Sequence, residues 1–207
     1  MLVYCILYII QYLVTMLTLY YFSRSLWVRI VITNNTLKRK FLNTLLFFGV
    51  LSGCVMLYQH YFVVNFTKSM PLGVYFKSYP ASYTKNDTVL VCLDDEIARW
   101  SVDHHIIADG LGCRHSAPLL KKIVATEGDR VTVTHKGIVV NDILVPNTAP
   151  IARKIKQWNI IDREMLLKST EYIVVANQNN LSFDSRYFGV VTDRNITAKI
   201  RPFYLFD

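Results

Sequence analysis

The chain begins with two long stretches that contain no Asp, Glu, Lys or Arg. They extend over residues 1–23 and 41–67, and neither shows the polar stripe expected of a helix with one wet face. Each stretch covers the roughly 20 residues that cross the hydrocarbon core of a bilayer. The pattern therefore predicts two transmembrane helices, at residues 1–23 and 41–64. The alternative is a pair of buried helices within a soluble domain.

The segment between the two stretches, residues 24–40, is a short basic loop. Its charged residues are Arg24, Arg29, Lys38, Arg39 and Lys40, with no acid among them. Short loops rich in Lys and Arg stay on the cytoplasmic side of a membrane. The first stretch has no basic residue before it and no small-x-small site after it, so we expect it to remain as an anchor. Residues 65–207 are then expected to form an extracytoplasmic domain.

The positive charge of the chain is concentrated in this loop. The formal net charge is +8, of which +5 lies in residues 24–40 and +3 in the remainder, where the first acid is Asp87. Membrane topology accounts for most of the charge, so nucleic acid is not expected as a partner.

After residue 65 the apolar residues occur in short runs separated by turn residues, which is typical of strands. Predicted strands lie in "DTVLVCL", "EYIVVAN" and "YFGVVT", and three more lie in "LLKKIVATEGDRVTVTHKGIVVNDILV", broken at the Gly- and Asn-containing turns. Residues 147–169 mix charge and partly helical spacing and are interpreted as an excursion from the sheet. The fold predicted for residues 65–207 is a mainly antiparallel β domain.

Two of the four cysteines belong to the outer domain. Cys5 and Cys54 fall in the membrane stretches, whereas Cys92 and Cys113 do not. An even pair in an oxidising compartment predicts a Cys92–Cys113 disulfide. The alternative is a metal site that adds Asp103, His104, His105 and His115. The spacing of these residues matches no standard zinc pattern, so neither a metal nor another cofactor is expected.

A serine lies just beyond the second stretch, and two lysines lie in the apolar run "LLKKIV". A lysine can activate a serine hydroxyl only in its neutral form, and burial in an apolar site lowers a lysine pKa toward the operating pH. Strand alternation points one of Lys121 and Lys122 inward, but periodicity does not say which. The alternative is that Ser69 is a surface serine and both lysines are solvated.

A second arrangement for nucleophilic catalysis is a Ser-His-Asp triad. Ser69 would combine with His104 or His105 and with Asp103 or Asp109. The chain has no Gly-x-Ser-x-Gly turn to set such a geometry.

Three blocks resemble a known family when taken in order. The blocks are "NFTKSMPLGVY", "KKIVATEGDRV" and "LSFDSRYFGVV". Together with the two predicted spans, they are similar to the type I signal peptidases with a Ser/Lys dyad, and within them to the conjugative-transfer (TraF-type) branch. The first block follows the branch's Asn-x-Thr-x-Ser-x-Pro-x-Gly-x-Tyr pattern, which implies Ser69 as nucleophile. The resemblance also implies the Thr67 hydroxyl and the Ser69 N–H as oxyanion-hole donors.

The other two blocks supply the remaining implied roles. The second places a lysine at a fixed distance before a Gly-Asp turn, which implies Lys121 as general base. The third implies that Ser182 orients the lysine amine and that Asp184 and Arg186 form a structural ion pair. The sequence departs from the family pattern at Glu127, where many relatives have proline, and at Ala176-Asn177, where Gly-Asp is usual. These departures concern loop geometry, not the implied catalytic groups.

The resemblance implies a signal-peptidase-like β domain preceded by two transmembrane helices, in a multi-pass protein of the bacterial inner membrane. The catalytic domain would face the periplasm and cleave membrane-bound precursors at small-x-small sites. The substrate would lie extended near Asn65–Ser69 and Leu119–Lys121, with Met70 and Leu120 as substrate contacts. A pilin-type precursor is implied, with a cyclic product as one outcome. The alternative function is a catalytically silent assembly factor of a conjugation or secretion apparatus.

Overall fold

The computed structural model describes residues 35–110, 112–151, 163–176 and 178–206. The chain divides into two compact units, Met1–Tyr61 and Phe62–Asp207. The predicted transmembrane helix at residues 1–23, and the predicted loop up to residue 34, lie outside the described residues.

Helix α1, Asn35–Tyr61, is the part of the first unit that the structure describes. It is long and apolar enough to cross a membrane, and none of its residues is buried. Its bounds differ from the predicted span at 41–64. The helix begins within the predicted loop because Lys and Arg favour helical backbone. It ends at Tyr61, where the β-branched residues Val63 and Val64 enter a strand.

The second unit is mainly β, and every strand pair in it is antiparallel, as predicted. A curled seven-stranded sheet has the order β1-β2-β11-β3-β4-β9-β10, and a four-stranded sheet has the order β7-β6-β5-β8. The strands are β1 Phe62–Asn65, β2 Gly73–Ser78, β3 Thr88–Val91, β4 Leu119–Ala125, β5 Arg130–Thr134, β6 Gly137–Val140, β7 Ile143–Leu144, β8 Arg163–Leu166, β9 Glu171–Val175, β10 Val191–Thr192 and β11 Ile196–Leu205.

The run predicted to hold three strands forms four, β4 to β7, and they belong to different sheets. The turn at Glu127-Gly128-Asp129 carries the chain out of β4 and into β5 of the small sheet. Asn141 and Asp142 connect β6 to β7 with φ angles of 48° and 66°. Two consecutive positive φ values are those of a type I′ hairpin, which Asn and Asp tolerate.

Three elements differ from the predicted pattern. The predicted strand "YFGVVT" is interrupted, because α3 (Ser185–Phe188) precedes the two-residue β10. Helix α2, Asp95–Asp103, was not predicted, although Asp95 and Glu96 in its first turn favour a helix start. The predicted excursion at residues 147–169 includes β8, which pairs with β5.

One hydrophobic cluster joins distant parts of the curled sheet, and it matters for the site. Its members come from β1, the loop after it, β2, β3, β4, β11 and the residue after β9. They are Val63, Met70, Tyr75, Leu90, Leu120, Ala176, Ala198 and Ile200. Two further clusters fill the other face of the large sheet and the space beneath the small sheet. Burial of these side chains holds the curvature that brings β1 near β4.

A disulfide joins Cys92 and Cys113, the predicted pair, with a Cα–Cα distance of 5.5 Å. It connects the residue after β3 to the segment before β4 and so closes the excursion that contains α2. Among the described residues, no group of three or more His, Cys, Asp and Glu side chains is arranged to hold a metal ion.

Candidate active site

The loop between β1 and β2 carries Thr67 and Ser69, and the Asn65 side chain organises it. Asn65 is 2% exposed at the end of β1. Its Oδ1 accepts hydrogen bonds from the Thr67 N–H at 3.0 Å and the Thr67 hydroxyl at 2.8 Å. Its Nδ2 donates to the carbonyls of Thr67, Met70 and Pro71 at 2.9–3.0 Å. A single buried amide thus satisfies backbone groups along the whole turn.

The far end of the same loop is held by β2. The Tyr75 hydroxyl, from a side chain that is 1% exposed, donates to the Pro71 carbonyl at 2.7 Å. Gly73 allows β11 to approach, because a Cβ there would lie 2.4 Å from the Tyr204 carbonyl oxygen. The loop is therefore fixed at both ends by residues of the sheet.

Ser69 is partly exposed on this loop. Its Oγ lies 3.3 Å from the Thr67 Oγ1, at hydrogen-bonding distance. The two hydroxyls that the resemblance assigns to attack and to oxyanion binding are therefore neighbours. The Thr67 hydroxyl donates its proton to Asn65 in this structure.

Lys121 lies in the middle of β4, and the structure resolves which of the two adjacent lysines faces inward. Lys121 is 2% exposed, whereas Lys122 is only partly buried. The Lys121 Nζ donates to the Ser182 Oγ at 2.6 Å. A buried amine needs such a partner, because transfer of a polar group from water without a hydrogen bond is costly.

Ser182 lies in the loop between β9 and α3 and is 5% exposed. The Ser182 N–H donates to the Asn179 carbonyl at 3.1 Å, and the Asn179 Oδ1 accepts from the Leu181 N–H at 2.9 Å. These local bonds form a compact turn. They direct the Ser182 hydroxyl toward the lysine of a neighbouring strand.

Asp184 and Arg186 form a buried ion pair beneath this turn, and both side chains are 0% exposed. The Arg186 Nε and Nη2 donate to the two carboxylate oxygens at 2.8 and 2.6 Å. Asp184 also accepts from the N–H of Ala176, at the end of β9, at 3.0 Å. Burial lowers the pKa of Arg186, but the hydrogen bond to Asp184, the charge of Asp184 and a smaller contribution from Tyr187 together outweigh burial and leave that pKa raised. The remaining Arg186 donors bind the carbonyls of Asn179 and Asn180.

The three sequence blocks meet in one region of the domain. Met70 and Leu120, the neighbours of Ser69 and Lys121, belong to one hydrophobic cluster with Ala176. The Asn179 Nδ2 also reaches the Lys68 carbonyl at 3.5 Å, a long bond from the loop just before the third block to the first block. Met70 and Leu120 are 9% and 7% exposed, so little of either side chain is accessible as a surface contact.

Of the two histidines considered for a triad, His104 has another partner and His105 is exposed. His104 stacks on Trp100 and its Nδ1 lies 2.8 Å from the Trp100 carbonyl oxygen. His115, which was considered only for a metal site, lies 3.7 Å from Asp95. In the part of the chain that the structure describes, Ser69 hydrogen-bonds to Thr67 and to no histidine. The described hydrogen bonds therefore do not assemble a Ser69-His-Asp triad.

Asn65, Tyr75 and Asn179 had no individual role predicted from the sequence, although the structure places all three around the site. Asn65 and Tyr75 are the first and last residues of the first block, so their place in the motif was a usable signal. Asn179 follows the Ala176-Asn177 departure, and no local pattern indicated its contacts.

Comparisons with known proteins show the family of the chain. The family model described as signal peptidase, peptidase S26, matches residues 8–205. A plasmid transfer protein TraF of Escherichia coli is 32% identical over 146 residues, which cover 67% of this chain and 80% of the relative. A second protein of that name and organism is 31% identical over 150 residues, with the same coverage.

A similar solved structure is a crystal structure of a signal peptidase I from Enterococcus faecalis V583. It has a TM-score of 0.34 and 12% identity, and the match covers 59% of this chain and all of that one. The breadth of the family match and the identity to the curated relatives confirm the resemblance carried by the three blocks: this chain belongs to the signal peptidase family, peptidase S26.

Proposed function

We propose that the chain is a membrane-anchored serine endopeptidase that cleaves signal or leader peptides from exported precursors, with Ser69 as nucleophile and Lys121 as general base. The observation that carries the proposal is the burial of Lys121 at 2% exposure with its Nζ held 2.6 Å from the Ser182 Oγ. A solvated lysine on an exposed strand would not have supported Lys121 as general base.

The proton path follows from the chemistry of the two groups. Neutral Lys121 takes the Ser69 hydroxyl proton as the Ser69 oxygen bonds to the scissile carbonyl carbon. The ammonium then gives that proton to the leaving amine as the carbon–nitrogen bond breaks. Water resolves the acyl-enzyme. Desolvation supports the first step, because removal of water disfavours the charged form of an amine.

Four other side chains support the reaction in this proposal. Ser182 fixes the rotamer of the Lys121 side chain, because it accepts one amine proton. The Thr67 hydroxyl and the Ser69 N–H stabilise the oxyanion, and a single donor of this kind contributes about 3 kcal/mol. The Asp184–Arg186 pair has a structural role, because it holds the turn that carries Ser182.

The substrate is proposed to be a membrane-bound precursor with a small-x-small site, extended beside β1 and the start of β4. The β4–β9 ladder begins at Lys122, opposite Val175, so Leu119 and Leu120 lie beyond it. β1 is the edge strand of the large sheet. Both backbones are thus placed to accept an extended peptide. Met70 and Leu120 would contribute the floor of the site.

The relatives named as plasmid transfer proteins support a role in conjugation. We propose a pilin-type precursor on that basis. Attack on the acyl-enzyme by an amine of the same precursor, instead of by water, would give a cyclic product. Mass spectrometry of the products distinguishes hydrolysis from cyclisation, because the hydrolysed product is heavier than the cyclic product by the mass of one water molecule.

Membrane anchoring is supported by α1 and by apolar residues of the β domain. Phe62 directly follows the last residue of the helix. Its ring contacts that of Phe203, with centroids 5.2 Å apart, and Phe203 is 69% exposed. Phe66, in the Ser69 loop, is 50% exposed. Exposed aromatic rings that adjoin a span in sequence suit a bilayer interface.

We propose an inner-membrane protein, with two spans and the β domain in the periplasm. The Cys92–Cys113 disulfide supports the compartment, because disulfides persist where the surroundings are oxidising. A reporter fused after Asp207 is expected to be active only outside the cytoplasm. Activity on the cytoplasmic side would overturn the orientation.

The direct test uses Ser69→Ala and Lys121→Ala, with Lys122→Ala as the matched control on the same strand. Precursor processing is followed by gel mobility in cells that lack a redundant peptidase. Loss of processing in the first two variants and normal processing in the third are expected. Normal maturation with either Ser69→Ala or Lys121→Ala, at wild-type protein levels, would refute the peptidase function and leave the silent assembly factor.

A further inference from the structure

The Asn65 amide makes hydrogen-bond contacts through both of its polar atoms. Its three donor contacts, to the carbonyls of Thr67, Met70 and Pro71, fix which side of the amide faces the backbone. The partners on that side are carbonyl oxygens, which can only accept, so Nδ2 faces them and Oδ1 faces the N–H and the hydroxyl of Thr67. The orientation of the acceptor is thereby determined by the fold.

The acceptor side of Asn65 binds the hydroxyl that is proposed to stabilise the oxyanion. Thr67 Oγ1 carries a single proton, and that proton is donated to Asn65 Oδ1 at 2.8 Å. The same oxygen lies 3.3 Å from Ser69 Oγ. A hydroxyl with one proton cannot donate at full strength to Asn65 and to an oxyanion at the same time.

We propose that Asn65 is a positioning residue of the reaction, which holds the Thr67 hydroxyl in place while the site is empty and lets that hydroxyl redirect its hydrogen bond to the oxyanion when Ser69 attacks. The proposal rests on the proposed function. An oxyanion is the stronger acceptor, because charged hydrogen bonds are roughly twice as strong as neutral ones. The hydroxyl needs only to rotate its proton.

The rest of the Asn65 contacts keep the cost of this exchange low. Oδ1 retains the hydrogen bond from the Thr67 N–H at 3.0 Å after the hydroxyl has turned, so a buried acceptor is not left unsatisfied. The donor contacts of Nδ2 do not involve the hydroxyl and persist. The Thr67 oxygen therefore stays near Ser69 while the direction of its proton changes, which is the preorganisation that oxyanion binding requires.

The chain offers a matched control in Asn195. Asn195 is 8% exposed, and its Oδ1 accepts from the N–H and the hydroxyl of Thr192 at 2.9 and 3.0 Å. Its Nδ2 donates to the Cys92 carbonyl and to Asp94. The same Asn–Thr arrangement thus occurs in the turn before β11, without a serine or a lysine of the proposed site. Asn195→Ala removes a similar set of hydrogen bonds but leaves the proposed catalytic groups and their contacts intact.

The experiment measures kcat, KM and Tm of the full-length protein in detergent micelles with an internally quenched peptide that contains an Ala-x-Ala site. For Asn65→Ala we expect kcat to fall by roughly 10²- to 10³-fold, as for loss of one oxyanion donor, with KM little changed. Asn195→Ala is expected to lower Tm by a comparable amount with wild-type kcat. Thr67→Ser, which keeps the hydroxyl, is expected to retain activity.

A double variant tests whether Asn65 acts through Thr67. Asn65→Ala combined with Thr67→Val is expected to be no slower than Thr67→Val alone, because the group that Asn65 positions is already absent. Multiplicative losses, or an Asn65→Ala kcat equal to that of Asn195→Ala, would overturn the proposal. If Asn65→Ala shows no cooperative melting, Asn65→Gln is measured instead, with the same expected loss of kcat. Its longer side chain keeps the donors and the acceptor but displaces them.

Failure of the proposed function has a different signature. In that case the wild type and Ser69→Ala would cleave the peptide at the same rate. A wild type that cleaves, a Ser69→Ala that does not, and an Asn65→Ala that matches Asn195→Ala would refute the role of Asn65 alone.

Discussion

Lys121 Nζ donates a 2.6 Å hydrogen bond to Ser182 Oγ across 61 residues of sequence. Both side chains are almost fully buried, at 2% and 5% exposure. The bond joins the middle of β4 to the turn before α3, which no local sequence pattern connects. It sets the direction in which the lysine amine can act in the proposed reaction.

Ser182→Ala is expected to lower kcat while the protein remains folded, because Lys121 loses its orienting acceptor. The loss is expected to be part of the roughly 10²- to 10⁴-fold that a general base contributes. Ser116→Ala is the matched control, because Ser116 is 0% exposed and its hydroxyl has no hydrogen-bond partner in the described structure. Peptide cleavage and Tm are measured for both. Equal kcat in the two variants would show that Ser182 does not orient the base.

The Asp184–Arg186 pair is expected to dominate the stability of the site. Arg186→Met leaves a buried carboxylate without its partner, which destabilises by about 3–5 kcal/mol. Arg130→Met is the control, since the Arg130–Glu164 pair is 3.3 Å long with both side chains more than half exposed. That pair should contribute at most about 1 kcal/mol. Urea unfolding followed by near-UV circular dichroism compares them. Similar free energies of unfolding for the two variants would contradict a structural role for the buried pair.

The Cys92–Cys113 disulfide closes the excursion around α2, with a sequence separation of 21. In the chain-entropy account, a loop of this size stabilises the folded state by about 3 kcal/mol. The double variant Cys92→Ala/Cys113→Ala should lose about that much free energy of unfolding. Cys54→Ser, at an exposed position in α1, should have wild-type stability. If the double variant and the wild type unfolded at the same urea concentration, this contribution would be ruled out.

Stability is expected to fall in acid through Asp129. Burial alone raises the pKa of this carboxyl, but hydrogen bonds from Lys85, the Thr126 N–H and Asn141 outweigh burial and hold the pKa below its ordinary value. A carboxyl with a lowered folded-state pKa contributes stability that is complete above its unfolded pKa of about 3.9. That stability is lost as the pH falls through the folded pKa.

The test is the slope of unfolding free energy against pH below about pH 4. Asp129→Asn should flatten the slope relative to the wild type. Asp142→Asn removes an exposed carboxyl in the β6–β7 turn and should leave the slope unchanged. A wild-type slope in Asp129→Asn would show that Asp129 is not the group responsible.

Much of the fold was predictable because its signals are local. The second uncharged stretch, the turns at Gly128 and Asn141, and the alternation of short apolar runs each depend on residues close in sequence. They correctly indicated an apolar helix followed by a mainly antiparallel β domain. The prediction of a strand at "YFGVVT" was wrong in part, because the Asp184 side chain caps a helical turn by accepting a hydrogen bond from the Arg186 N–H. That cap competes with strand propensity in a way that the apolar pattern does not register.

The sequence by itself determined which chemical groups were present: a serine after an apolar span, two lysines in a strand, and three blocks in family order. Only the tertiary structure decided which lysine is buried, because strand periodicity distinguishes two faces but does not say what covers each. The turn before α3 places the Ser182 hydroxyl against Lys121, and the cluster around Met70 and Leu120 brings the blocks together. The role of Asn65 likewise depends on five hydrogen-bond contacts in three dimensions. The Lys121–Ser182 contact depends on packing between distant segments, which no local pattern of residues encodes. The Asn65 contacts reach residues only two to six positions away, and they depend on the path that the loop takes between β1 and β2.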